Sequence, residues 1–298
     1  WGWIQSLSLK FSLKKKGTYD FIWLTSPALY PSIGCVNSDA KIIYDCMDDI
    51  VEFPSSKSSP VYCKQLINWE MDLMKQADIV LCSSEYLKEK VISRSGINRE
   101  VHIINNAISL PQIRHFDSFP SKVQDAINLL KSLKCSLLYI GTISQWFDFK
   151  LICEALDKKE DVQLVLIGPK DCDIPSHKQI HYIGSVERQY IYSLMEQASA
   201  LVMPFIVNEL IRSVNPVKMY EYIYMEKPII APHYGEMEKF LPYINLYHDN
   251  DEFMSLVDQL SKSELQISSE KGNEMKGFAE KNTWESRYEE VKKILFNV

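Results

Sequence analysis

The chain has 298 residues, 46% hydrophobic and 24% charged, with a formal net charge of -6. That length suffices for one large core or two smaller ones, and the composition is that of an ordinary globular protein. The negative balance argues against a general nucleic-acid binder, and no apolar run approaches the roughly 20 residues that span a bilayer. Seven cysteines are scattered without a CxxC pair, several of them in strand-like runs. They read as reduced core thiols of a cytosolic chain, not as a disulfide frame or a zinc site.

The start, WGWIQSLSLKFSLKKKG, combines Trp1, Trp3, Leu7 and Phe11 with Lys10, Lys14, Lys15 and Lys16. It has neither a clean apolar core nor a small-residue cleavage signal, so it does not read as a secretory signal. An amphipathic helix packed on its own domain is the plainer expectation, and a peripheral membrane contact the sharper one. Because the chain begins with Trp1 and not Met, an N-terminal piece is expected to be missing.

Apolar, β-branched runs of strand length then recur at Phe21–Thr25, Lys41–Asp45, Ile79–Ser83, Val101–Ile104, Ser136–Ile140, Gln163–Ile167, Ile180–Ile183, Ala200–Met203 and Pro228–Ala231, with a weaker one at Ile244–Tyr247. Short continuous apolar strands alternating with helix-like segments predict parallel sheets covered on both faces, a doubly wound α/β architecture. The stretch NNAISLPQIRHFDSFPSK at 105–122 has two prolines and little periodicity, and is the best linker candidate. It predicts a domain over 1–110 and a larger one over 111–282. Thr283 then caps a final helix over 283–298.

In open α/β sheets, ligands bind outside the carboxyl ends of the strands. Asp45, Asp48 and Asp49 cluster where the second run stops. One of them could take a proton from a hydroxyl, a reading preferred to metal binding, and one is accounted for as a helix cap. After Ile140 come Gly141, which lets backbone approach a ligand, and the hydroxyls of Thr142 and Ser144. GxGxxG is absent, against a dinucleotide site. Trp146 and Asp148 read either as a lid over a ligand or, for Asp148, as the N-cap of a helix from Phe149. Around Tyr182–Ser185, backbone groups could cap a nucleotide base, although a strand–turn–helix crossover explains most of that segment. The helix there is expected to open at Ser185 and Glu187.

A polar connection carrying Asn208, Glu209, Arg212 and Ser213 then leads to NPVKMYEYIYMEKPIIA at 215–231. Asn215 is a good N-cap and Pro216 a good first helical residue, which puts Lys218 in the first turn. A cation there opposes the helix dipole unless an anion lies between them, so the site suits a phosphate or pyrophosphate. Glu221 follows three residues on, about 4.5 Å along the axis and on the same face. Its carboxylate suits the paired hydroxyls of a ribose. The competing reading is a Lys218–Glu221 pair on a solvated face. The Tyr- and Met-rich composition points to a half-buried helix and favours the ligand.

YDCMDD at 44–49, LYIGTISQWFDFKLI at 138–152, LVLIGP at 164–169 and NPVKMYEYIYMEKPIIA at 215–231, with ADIVLCSSEYLKEKV at 77–91 and TWESRYEEV at 283–291, resemble glycosyltransferases of the GT-B fold. The chain is similar in particular to family-4-type and teichuronic acid biosynthesis-type enzymes of bacterial envelopes. The resemblance implies an α/β protein of two Rossmann-like, doubly wound domains facing a cleft. The first would be the acceptor side, incomplete at its start, and the second would bind the nucleotide sugar, with the last helix crossing back to the first.

It further implies a metal-independent hexosyltransferase without redox or pyridoxal cofactor. The donor would be a UDP- or GDP-sugar and the acceptor a glycan or lipid-linked hydroxyl, in polysaccharide or envelope glycan synthesis. No nucleic acid is expected as a partner. The setting would be cytoplasmic, with a peripheral contact at the inner face of the cell membrane.

In those terms Gly141, Thr142 and Lys218 hold the diphosphate, Glu221 the ribose, and Asp48 or Asp49 serves as catalytic base. Trp146, Asp148, Arg212, Asn215 and Tyr220 are further cleft candidates. The chain departs from the pattern at three places. Ser213 stands where many relatives have the first of two glutamates, no Arg follows the glycine turn in GTISQWFD, and the first domain's glycine-rich loop is not visible. A non-catalytic nucleotide-sugar-binding or partner subunit, and a nucleotide-sugar epimerase, are the alternatives.

Overall fold

The computed structural model describes residues 19–35, 39–111 and 118–296. The amphipathic helix and membrane contact expected at the start of the chain lie outside them. Every strand-length run forms a strand, and every pairing between these strands is parallel. The chain divides into two compact units.

The first unit carries β1 (Phe21–Leu24), β2 (Lys41–Cys46), β3 (Ile79–Cys82) and β4 (His102–Ile103), in the order β1-β2-β3-β4. Side chains alternate across a strand, so each run serves two cores. Tyr44, Cys46, Val80 and Cys82 pack with Leu73, Met74, Leu87 and Val91 from the helices Pro60–Gln76 and Glu85–Ser95. On the opposite face, Ile43 and Leu81 meet Val291, Ile294 and Leu295 of the helix Trp284–Phe296. The helices Pro60–Gln76 and Glu85–Ser95 begin where short polar residues precede the apolar pattern: Ser59 accepts from Tyr62 N and Ser84 from Leu87 N.

The first unit ends at Asn106 but regains Arg212–Asn215 and the residues from Arg287 on. Hydrogen bonds explain the return. Asn106 N donates to Asn215 Oδ1 at 3.0 Å and Asn106 Nδ2 to Asn215 O at 2.6 Å. Ser84 Oγ donates to Ser213 O at 2.6 Å, and Arg287 Nε to Asn105 O at 3.0 Å.

The second unit holds β5 (Cys135–Ile140), β6 (Val162–Ile167), β7 (Ile180–Gly184), β8 (Ala200–Val202), β9 (Ile229–Pro232) and β10 (Asn245–Tyr247), ordered β10-β9-β8-β5-β6-β7. β5 is buried at every residue, as a central strand covered on both faces must be. The chain winds outward from β5 through β6 to β7, then returns to the other side of β5 with β8. The order therefore reverses between β5 and β8, and the crevice outside the carboxyl ends at such a switch point is where this architecture binds ligands. The helix Val217–Tyr224, between β8 and β9, brings its side chains there.

Candidate functional site

Gly141 follows β5 with φ +150° and Gly168 follows β6 with φ +140°, while Gly184 ends β7 at φ +81°. The three strand ends stay knitted: Gly141 N donates to Ile167 O at 2.9 Å and Gly168 N to Gly184 O at 3.1 Å. Side chains rarely tolerate these conformations, and at Gly141 and Gly168 the space is also taken. A Cβ on Gly168 would overlap the carbonyl of Gly141, and one on Gly141 would overlap Lys218 Cε, with Nζ 2.7 Å away.

Lys218 thus lies across the bare backbone of Gly141, with its ammonium 6.0 Å from the centre of the Tyr139 ring. Tyr139 in turn donates to Thr142 O at 2.8 Å. Gly141, Thr142 and Lys218, expected together from the sequence, are together. Burial pulls the Lys218 pKa below the ordinary lysine range, with the charge of Glu221 opposing it. Among the described residues Lys218 forms no ion pair. A half-buried ammonium without a counter-ion among the described residues, beside a glycine and at a helix start, has the chemistry that suits an anion.

What holds the helix in this position is Tyr222, whose fully buried hydroxyl accepts from Ile140 N at 3.1 Å. This ties the helix to the last residue of β5. Its N-terminus differs from expectation. The helix opens at Val217, Pro216 occupies the cap position, and no side chain caps it. Asn215 does not act as N-cap because its carboxamide oxygen accepts from Asn106.

Glu221 is not paired with Lys218. Its Oε1 accepts from Arg188 Nη2 at 2.8 Å, with the glutamate side chain 14% exposed and the arginine 67%. Arg188 comes from the turn Arg188–Tyr190 after β7, where a longer helix opened by Ser185 and Glu187 was expected. The short helix Ile191–Met195 follows it and brings the buried hydroxyl of Tyr192 beside Arg188 and Glu221. Neither Arg188 nor Tyr222 was singled out from the sequence. Arg188 stands 33 residues from its partner and Tyr222 82 from its own, with no local spacing to connect them.

Other candidates have structural posts. Asp148 is the N-cap of the helix Phe149–Lys158, its Oδ1 accepting from Leu151 N at 2.9 Å, so the capping reading prevails over the lid. Trp146 is half-buried against the core. Tyr220 is 3% exposed, edge-on to Phe240 at 5.0 Å and parallel to Phe278 at 6.3 Å, which makes it a core residue. Arg212 is exposed, on the short helix Glu209–Ser213.

The three aspartates separate. Asp49 is 1% exposed, and both its oxygens accept from Arg94 Nη2, at 2.7 and 2.8 Å. Arg94 Nη1 also donates to Glu70 Oε2 at 2.8 Å, and Tyr44 donates to Glu70 Oε1 at 2.9 Å. A buried carboxylate gripped by a guanidinium is a structural ion pair, out of reach of a substrate proton. Asp45 accepts from Trp23 Nε1 at 3.0 Å, and burial raises its pKa. Asp48 remains: it is exposed, yet enough protein surrounds its carboxyl for desolvation to raise its pKa, which strengthens it as a base. Among the described residues, no group of three or more His, Cys, Asp and Glu side chains is placed to hold a metal ion.

No family model matches the chain. It is 25% identical over 288 residues to TuaH of Bacillus subtilis (strain 168), named as a teichuronic acid biosynthesis glycosyltransferase. The match covers 91% of this chain and 70% of TuaH. Among solved structures, Anabaena HepE in complex with UDP-glucose superposes with a TM-score of 0.71 at 13% identity, over 98% of this chain and 82% of that one. The E. coli trehalose-6-phosphate protein bound with UDP-2-fluoro glucose gives 0.72 at 12% identity, over 99% and 77%. The chain has the fold of the GT-B glycosyltransferases.

Proposed function

We propose that the protein is a glycosyltransferase that takes a hexose from a UDP-sugar and passes it to a hydroxyl of a glycan or lipid-linked acceptor in envelope polysaccharide synthesis. The observation that carries this reading is the Lys218 ammonium lying across Gly141 at the switch point of a parallel sheet, unpaired among the described residues, with Glu221 one turn on. That arrangement fits a diphosphate followed by a ribose. The choice of UDP draws on the UDP-glucose bound by HepE, and the envelope setting on the name of TuaH.

Transfer leaves negative charge on the departing diphosphate, and a preorganised cation stabilises that charge more than it stabilises the ground state. Lys218 supplies the cation and the N-terminal end of its helix adds a partial charge, so the reaction needs no metal at this position. Gly141 admits the phosphates to the backbone, and Glu221 accepts from the ribose hydroxyls. Asp48 takes the acceptor proton if the reaction inverts.

Calorimetry with UDP and GDP tests the assignment. Replacing Lys218 by Ala should weaken nucleotide binding by roughly 30- to 1,000-fold, the loss of about 2–4 kcal/mol expected on removing one partner of a buried charge-assisted contact. Unchanged affinity would sink it. A second reading, a binding subunit without turnover, is favoured by Ser213, which is fully buried where many relatives carry a glutamate. UDP released from UDP-glucose by the whole chain with an acceptor extract separates the two, since a binding subunit only retains its ligand.

A further inference from the structure

Glu221 has been given one duty, the ribose, yet its surroundings are more specific than that. Its side chain is largely buried, and a buried carboxylate needs its hydrogen bonds. Among the described residues Arg188 provides the only one, to Oε1, which leaves Oε2 to accept from a ligand. Close by lies the buried hydroxyl of Tyr192, with Arg188 and Glu221 as its charged neighbours. Arg188 and Tyr192 arrive together, from the turn after β7 and the short helix that continues it.

A guanidinium as exposed as that of Arg188 contributes little to folding, since surface ion pairs are worth about 0–1 kcal/mol. Its effect is geometric: a planar donor bonded to one oxygen fixes the rotation of the carboxylate plane. We propose that Arg188 is a positioning residue that holds Glu221 so that its second oxygen meets a ribose hydroxyl, making this pair the device by which the site tells ribonucleotides from deoxyribonucleotides. The inference rests on the nucleotide-sugar reading of the site. A site built to bond a hydroxyl rejects the analogue lacking it, because a buried polar group is then left unpaired.

The test is calorimetry of the full chain with UDP and 2′-deoxy-UDP, on wild type, Arg188→Ala, Arg188→Lys and Glu221→Gln. Wild type should prefer UDP by roughly tenfold or more, as one hydrogen bond to a charged group implies. Arg188→Ala should bring that ratio near unity and weaken UDP, with Lys restoring part of the preference. Glu221→Gln should also lose the preference, and a double variant should lose no more than the Glu221 variant alone. An Arg188→Ala protein that binds UDP with an unchanged ratio, or binds it more tightly, overturns the proposal while leaving the nucleotide site standing. A wild type that binds no UDP overturns both.

Discussion

Gly141 and Gly168 are one residue type in one region of backbone space, but a methyl group added to each meets different things. At Gly168 it meets the carbonyl of Gly141, which is backbone and cannot turn aside. At Gly141 it meets the far end of the Lys218 side chain, which can. Gly168→Ala should therefore cost stability, on the order of 2–4 kcal/mol by thermal or denaturant unfolding. Gly141→Ala should cost only the roughly 1 kcal/mol of its strained backbone, but should displace the ammonium and weaken UDP at least tenfold. Lys218 itself has opposite signs in the empty and the occupied protein. Its folded pKa lies below the unfolded value, so between the two the unfolded chain holds a proton that the folded one has lost. Stability of the empty protein then rises with pH across that window. UDP affinity, which needs the ammonium, should fall as pH climbs through the lowered pKa, earlier than the roughly 10.4 of an ordinary lysine. Calorimetry from about pH 7 to 10 should show that fall in wild type and a flat profile in Lys218→Ala.

At the scale of the element, the helix Val217–Tyr224 is short, has no side-chain cap, and begins with a cation at the wrong end of its dipole. Its own sequence does not account for its place. Met219, Tyr222 and Ile223 are fully buried, and the Tyr222 hydroxyl satisfies Ile140 N at the end of β5. Tyr222→Phe leaves that buried N–H unpaired, which should cost about 1–3 kcal/mol in unfolding experiments. It should also weaken UDP severalfold, because the bond sets Lys218 against Gly141. A helix held only by apolar packing would show the first loss without the second. The strands were legible because parallel strands buried on both faces leave continuous apolar runs, as CSLLYI and VQLVLI do. The helix caps were legible where the residue had a single nearby use, as at Asp148. Asn215 has the composition of a cap and serves Asn106 instead.

The whole molecule has two units, each with its own parallel sheet and core, and no helix among the described residues is long and apolar enough to cross a membrane. If Lys218 is the counter-charge to the diphosphate, EDTA should leave both UDP affinity and UDP release from UDP-glucose unchanged. A loss of either on chelation, restored by magnesium, would show that a cation shares the task. Binding should also stabilise the intact chain by about 2.7 kcal/mol at a hundred times Kd, read as a rise in Tm. The amino-acid sequence by itself determined the α/β class, the ten strands among the described residues, and the choice of Gly141 and Lys218 as candidates that the fold brings together, because hydrophobic period and strand-end chemistry are local signals. It did not determine which of the neighbouring aspartates is accessible. Asp48 and Asp49 are neighbours in the chain, and only the fold buries Asp49 under Arg94 while leaving Asp48 in solvent. Nor did it show Arg188 on Glu221 or Tyr222 on Ile140. Those contacts join residues far apart in the chain, and sequence spacing carries no record of a bond that exists only once the sheet has brought its strand ends together.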